Sequence, residues 1–371
     1  MSAESKIAYL MHVDWDWIKQ RPHFLYEELT TFYSVDLFYV NKLYGNKTTN
    51  LNSRNVYSKS TVHTLKKLPM SGRLNVLRAM ERLMNRSVNQ SLKQYDYIWI
   101  TSPLLLDFIP LDQLKGQVVI YDCMDDFLGF YLENRNLSRL RNLEIRLVKR
   151  ANQVITSSEY LKKRMISSYH DYMDNEPVVV NNGISRSLLN GQISDIQYIQ
   201  TTSPPELLNL MYIGTIGGWV DFDMMLRVLE KIPDCMFTLV GPVETRVPSH
   251  ARIQCAGTVR HDQLSSYAQT ADALVMPFML NELVRAVDPV KMYEYIYFNK
   301  PILAIDYEEM QKFKPFVHLY SEESEFINFI KKVRSDKIKW HSNKEARHFL
   351  ESNTWKERCK QIIGILEGVQ R

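Results

Sequence analysis

The sequence predicts an α/β protein of two Rossmann-like domains, each with a parallel sheet. Three observations predict it. Short apolar runs of strand type alternate with helix-period patterns, the order that yields a parallel sheet covered on both faces. The alternation runs twice, with an aperiodic stretch between the two series. At 371 residues, 45% hydrophobic and 24% charged, the chain is long enough to bury two cores and too apolar for disorder.

The first series opens with a strand at 7–13. Pro22 then starts a helical pattern through Phe24, Leu25, Leu29 and Phe32, at a first-turn position that proline tolerates. Further strands are expected at 35–40, 97–101, 118–121, 153–156 and 178–180. Residues 185–206 collect Gly191, Ser194, Thr201, Thr202, Ser203, Pro204 and Pro205, the composition of a linker. The second series places strands at 208–213, 236–240, 253–256, 273–276 and 302–305. A last helix begins at Thr354, which has capping-box spacing to Glu357, and it carries Trp355, Cys359, Ile362, Ile363 and Leu366 on one stripe that must bury. The expected division is an N-terminal domain at 1–185, a linker at 186–206, a C-terminal domain at 207–350, and a helix at 351–371 packing back on the N-terminal domain.

The formal charge of +4, from 46 Lys and Arg against 42 Asp and Glu, is too small to imply a general nucleic-acid binder. Cys123, Cys235, Cys255 and Cys359 are scattered, without the spacing of a disulfide framework or a zinc site, which fits the cytoplasm. The apolar stretch at 7–11 is too short for a secretory leader, and no run approaches the roughly 20 apolar residues of a bilayer span. Any work at a membrane is expected from its surface. Residues 54–93 hold nine cations (Arg54, Lys59, Lys66, Lys67, Arg73, Arg78, Arg82, Arg86, Lys93) and one acid, Glu81. Arg78, Arg82 and Arg86 share a helical edge beside Leu74, Leu77, Met80, Leu83, Met84 and Val88. Two readings stand: a helix resting on anionic lipid, or a core helix with a basic rim.

Two segments of the second series carry chemistry. Gly214, Thr215, Ile216, Gly217, Gly218 and Trp219 follow a strand and precede a helical pattern at 221–229. Glycines there let backbone amides approach an anion, and a plain tight turn explains them equally well. The second segment runs from Asp288 and Pro289 through Lys291 and Glu294 to the strand at 302–305. Pro289 in a first helical turn leaves Lys291 near the positive helix end, suited to a diphosphate, and Glu294 one turn deeper, suited to ribose hydroxyls. The alternative is a solvated helix pair at three-residue spacing.

Segments 214–221, 239–242, 257–260, 271–278 and 289–304 together resemble the nucleotide-sugar half of GT-B glycosyltransferases. Residues 17–23 (Trp-Ile-Lys-Gln-Arg-Pro-His), 120–126 (Ile-Tyr-Asp-Cys-Met-Asp-Asp) and 181–184 (Asn-Asn-Gly-Ile) resemble bacterial enzymes that build capsule, teichuronic-acid and exopolysaccharide chains. The resemblance implies two domains facing across a cleft and a nucleotide-sugar donor, with UDP expected ahead of GDP. It assigns the ribose to Glu294, the phosphate side to Lys291, and the base to the loop of Val259 and Arg260. The Arg and Lys pair that many relatives carry after the first C-terminal strand is replaced here by Gly217, Gly218 and Trp219, which shifts weight to Lys291 and Arg285. The Glu-to-Glu spacing of retaining members fails, because Ala286 stands eight residues before Glu294.

Asp125 and Asp126 follow a strand, where parallel sheets place their crevice, and adjacent carboxylates raise each other's proton affinity. For an inverting reaction the resemblance makes Asp125, then Asp126, the expected base that takes the acceptor proton; an N-cap is the competing reading. Arg21 and His23 flank Pro22 and are candidates to line the acceptor side, with a structural role as the default for His23. The triplets Asp14-Trp15-Asp16 and Asp221-Phe222-Asp223 have metal-binding form but are read as coincidence, because cations and helix ends neutralise the diphosphate; no metal or other cofactor is expected. The acceptor implied is a glycan or lipid-linked glycan. A sugar-nucleotide epimerase and a non-catalytic nucleotide-sugar binder are the rival readings; a nicotinamide-linked dehydrogenase lacks its glycine fingerprint.

Overall fold

The computed structural model describes residues 5–15, 19–42, 61–72, 74–132, 135–189, 207–338 and 343–369. Asp16, Trp17, Ile18, Arg54, Lys59, Arg73 and the linker from residue 190 to 206 lie outside the described residues. The chain forms two compact units, one of Met1–Asn182 with Trp355–Arg371 and one of Gly183–Thr354.

The first unit holds a seven-stranded sheet of β1 (Lys6–Met11), β2 (Ser34–Lys42), β3 (Val62–Lys67), β4 (Tyr97–Ile100), β5 (Val118–Cys123), β6 (Gln153–Thr156) and β7 (Val178–Val179). Its order is β3-β2-β1-β4-β5-β6-β7, and every pairing is parallel. β1 and β4 are buried almost throughout, as central strands with helices on both faces must be. Around them run α1 (Arg21–Leu29), α2 (Asn75–Met84), α3 (Leu137–Arg150) and α4 (Glu159–Tyr169).

β3 was not expected from the sequence, which reads that region as a basic segment. It is an edge strand in which only Leu65 is buried, so it needs no apolar run and leaves none to read. The helix Trp355–Val369 completes this unit. Trp355 stacks on Phe24 of α1 with ring centroids 5.1 Å apart, Arg358 Nε donates to Asn182 O at 2.9 Å, and Cys359, Ile362 and Leu366 are buried.

The second unit holds β8 (Leu208–Ile213), β9 (Cys235–Val240), β10 (Ile253–Gly257), β11 (Ala273–Met276), β12 (Ile302–Ile305) and β13 (His318–Tyr320), ordered β10-β9-β8-β11-β12-β13 and parallel throughout. β13, three residues at the sheet edge, was also missed. α5 (Phe222–Lys231) follows β8, and α6 (Val290–Phe298) precedes β12. In both sheets the chain reverses its direction of progress beside the first strand, between β1 and β4 and between β8 and β11. Doubly wound folds open their ligand crevice at the carboxyl ends of such strands.

Candidate functional site

In the second unit, the β8–β11 pairing ends at Met211↔Leu274, and the two strands then part. Tyr295 of α6 fills the gap. Its Oη accepts from Ile213 N at 2.7 Å and lies 3.3 Å from Ile213 O and 3.4 Å from Val275 O, so one hydroxyl ties α6 to the ends of both strands. α6 is buried nearly all round, which fixes its axis. Pro289 is its N-cap rather than a first-turn residue, and the preceding Asp288 is held by Lys312 Nζ at 2.9 Å. The helix N-terminus therefore lies at the carboxyl edge of the sheet, beside the switch point.

Lys291 Nζ lies 2.7 Å from Glu294 Oε2, and His261 Nε2 lies 3.0 Å from Glu294 Oε1. The Glu294 side chain is 4% exposed and that of Lys291 24%, which removes the reading of a solvated helix pair. Burial alone would raise the Glu294 pKa; Lys291 and His261 overcome it and hold the carboxyl at about 2. His261 was missed by sequence reasoning. Its signal was adjacency to Val259 and Arg260, in the loop after β10. Val259 packs partly into the core, whereas Arg260 and Arg285 are exposed.

The glycine loop after β8 is stretched between neighbouring strand ends. Ile216 bridges to Val243, Val220 bridges to Phe278, and Met279 N donates to Trp219 O at 2.8 Å. A Cβ at Gly214 would meet Tyr212 Oη at 2.6 Å, and one at Gly217 would meet the Trp219 ring at 2.4 Å. A side chain at either position would have to displace the Tyr212 or Trp219 ring, while Gly218 faces open space. Across from Gly214, Gly241 has φ +145 and its Cβ would sit 2.0 Å from Gly214 O, so no side chain fits there. Asp221 is the N-cap of α5, accepting from Met224 N at 2.8 Å, which gives that Asp-x-Asp triplet a structural role.

In the first unit, Asp125 and Asp126 follow β5, and their environments differ. Asp126 is ion-paired to Arg164 of α4 and accepts from Gly129 N at 2.7 Å. Asp125 is pushed up to about 6 by burial, against the pull of Arg21 and with a further push from Asp122. Arg21 is buried and does not line an open surface. It donates to Asp122 at 2.9 and 3.0 Å, to Val180 O at 2.7 Å and to Asn182 Oδ1 at 3.1 Å, joining α1, β5 and the end of β7. His23 is buried as well; its Nδ1 accepts from Gln20 N at 3.2 Å, and burial lowers its pKa to about 4. The expected acceptor-side pair is therefore internal, both side chains being buried within the fold.

His12, unnoticed in the sequence, directly follows β1 at the switch point. Thr101 Oγ1 donates to Leu10 O at 3.1 Å and so must accept from both His12 N at 3.1 Å and His12 Nδ1 at 2.9 Å. Burial lowers the His12 pKa to about 4, so the ring is neutral. On α2, Arg78 bonds to Ser71 O and Gly72 O and Arg82 Nε donates to Asp107 O at 3.2 Å, while Arg86, just beyond it, is exposed. Among the described residues, no group of three or more His, Cys, Asp or Glu side chains is arranged to hold a metal ion, and no helix is long and apolar enough to cross a membrane.

No protein-family model matches the chain. Over 302 residues it is 28% identical to TuaH of Bacillus subtilis (strain 168), a candidate teichuronic acid biosynthesis glycosyltransferase, covering 74% of this chain and 72% of that protein. Among solved structures, sucrose-phosphate synthase from Thermosynechococcus elongatus superposes with a TM-score of 0.73 at 14% identity, over 98% of this chain and 99% of that one. HepE of Anabaena in complex with UDP and glucose gives 0.65 at 14%, over 98% and 100%. The E. coli trehalose-6-phosphate protein bound with UDP-2-fluoro glucose gives 0.66 at 11%, over 98% and 99%. With two doubly wound parallel sheets and these likenesses spanning nearly its whole length, the chain has the GT-B glycosyltransferase fold.

Proposed function

We propose that this chain is a glycosyltransferase that moves a sugar from a nucleoside diphosphate, UDP, to a glycan or lipid-linked glycan of a bacterial surface polysaccharide, working from the inner face of the cell membrane. The observation that carries the reading is the Lys291–Glu294–His261 cluster at the N-terminus of α6, beside the second switch point. The UDP and UDP-sugar complexes of HepE and the TuaH likeness support the donor class and the surface-polysaccharide role.

Lys291 and the free amides of the first turn of α6 hold the diphosphate, a cation and a helix end acting on the same anion. Glu294, ionised at any working pH, accepts from the ribose hydroxyls, and Val259 and Arg260 face the base. Gly214, Gly217, Gly218 and Arg285 complete the donor side. The acceptor oxygen bonds to the anomeric carbon as the carbon–oxygen bond to the diphosphate breaks, and Asp125 takes the acceptor proton. Asp126, tied to Arg164, positions the strand end. The leaving diphosphate is stabilised without a metal or other cofactor, by Lys291 and the helix end.

A thermal-shift panel of nucleoside diphosphates and their sugars tests the donor assignment. UDP at about 100 times its dissociation constant should stabilise the fold by about 2.7 kcal/mol. Lys291→Ala and Glu294→Gln should each lose most of that shift, and transfer should persist in chelator. A full UDP shift in both variants would remove the cluster from the donor site.

A further inference from the structure

α2 is turned the opposite way from an ordinary surface helix. Its one buried residue is Glu81, 1% exposed, whose Oε1 accepts from Leu68 N at 2.7 Å. Asn85, at the helix end, accepts from Lys66 N at 2.9 Å and donates to Lys66 O at 3.1 Å. The helix is thus fastened to the end of β3 by its polar face. Its apolar face looks outward: Val76 is 73% exposed, Met80 49% and Leu83 69%, with Met84 beside them, at the spacing of one helical stripe. Leu74 and Met70 extend the exposed apolar surface into the preceding turn. An amphipathic helix ordinarily buries this stripe, and a contiguous exposed patch marks a contact surface.

Charge selects the partner. Between residues 61 and 93, Lys66, Arg82, Arg86 and Lys93 are exposed, and the one acid in that span, Glu81, is turned inward. Arg82, which also reaches Asp107 O, and Arg86, which opens the short helix after α2, flank the apolar stripe as exposed cations. A protein groove would match such a stripe with a stripe of its own; a surface that is anionic throughout with an apolar layer just beneath it matches both the cations and the outward Met and Leu side chains. Next to α2 opens a cavity of about 740 Å³ lined by Lys67, Ser71, Glu81, Tyr131 and Arg135, with Arg139 ion-paired to Asp107 in its wall. Phe130 and Leu132, either side of Tyr131, are exposed as well.

We propose that α2 lies in the plane of an anionic lipid bilayer, with Val76, Met80, Leu83 and Met84 among the acyl chains and Arg82 and Arg86 at the headgroups. The proposal rests on the peripheral location proposed above and is independent of the transfer chemistry. The full chain is cosedimented with vesicles of phosphatidylglycerol and, separately, of phosphatidylcholine. Binding to the first and not the second is expected. The triple variant Val76→Ser, Met80→Ser, Leu83→Ser should lower the partition coefficient on the order of 100-fold. Arg86→Gln should lower it by about fivefold. The UDP-induced thermal shift serves as the folding control in every variant. No binding to phosphatidylglycerol, unchanged binding in the triple variant, or a wild-type dimer that the triple variant converts to monomer would each overturn the proposal, the last by giving the face to a second copy. Vesicle binding in a wild type that shows no UDP shift supports this surface and counts against the donor reading alone.

Discussion

Asp125 and Asp126 are adjacent carboxylates with different constraints. Asp126 has an arginine and a backbone amide as partners and serves the local fold, whereas Asp125 is half-buried with a pKa raised to about 6. A base must be unprotonated to act, so the proposed transfer should rise with pH through about 6 and level off above it. Asp125→Asn should lower kcat by about 10²- to 10⁴-fold and remove that ascending limb, with the UDP-induced thermal shift preserved. A variant that keeps near-normal kcat would transfer the role to another group, with the neutral His12 as the first to be changed. Two carboxylates after a strand end were legible in the sequence. What separated them was not, because Arg164 and Gly129 become neighbours of Asp126 only when α4 has packed and the chain has turned.

At the scale of the element, α6 joins the proposed chemistry to the fold. Tyr295→Phe deletes the hydroxyl that bonds at the parting of β8 and β11 and leaves the buried Ile213 amide without that acceptor. The expected cost is about 1–3 kcal/mol of stability, measured by urea unfolding, with a weaker UDP shift as the helix start loosens. Unchanged stability would mean that apolar packing alone sets the helix. The elements visible in the sequence were those with their own periodicity or apolar run: β1, β4, β8, β11 and the Lys291–Glu294 helix. β3 and β13 escaped because edge strands bury little, and the two readings of α2 stayed open because periodicity alone does not say which way its apolar stripe faces. Arg21, chosen by type, turns inward, since only tertiary placement shows that Asp122 meets it first, while the buried His23 agrees with the structural role that was its default.

At the scale of the whole molecule, the first unit is built from two separated stretches of chain. Trp355 and Leu366 are inner surfaces of that unit, and Arg358 closes on Asn182. Truncation after Thr354 should expose Phe24 and its neighbours and unfold the first unit while the second stays folded. Circular dichroism would then show partial loss of helix, and UDP would still protect the remainder from heat. A truncated protein that melts at the full-length temperature would show that the last helix is dispensable.

The same arrangement sets an order in time during synthesis. A ribosome adds about 5–20 residues per second. After Asn182 emerges, roughly 10–35 s must pass before Trp355 is available to stack on Phe24. For that interval the half made first waits with an apolar flank open to water while the whole of the second half is made. The nascent protein therefore finishes folding in the reverse of the order in which it is written.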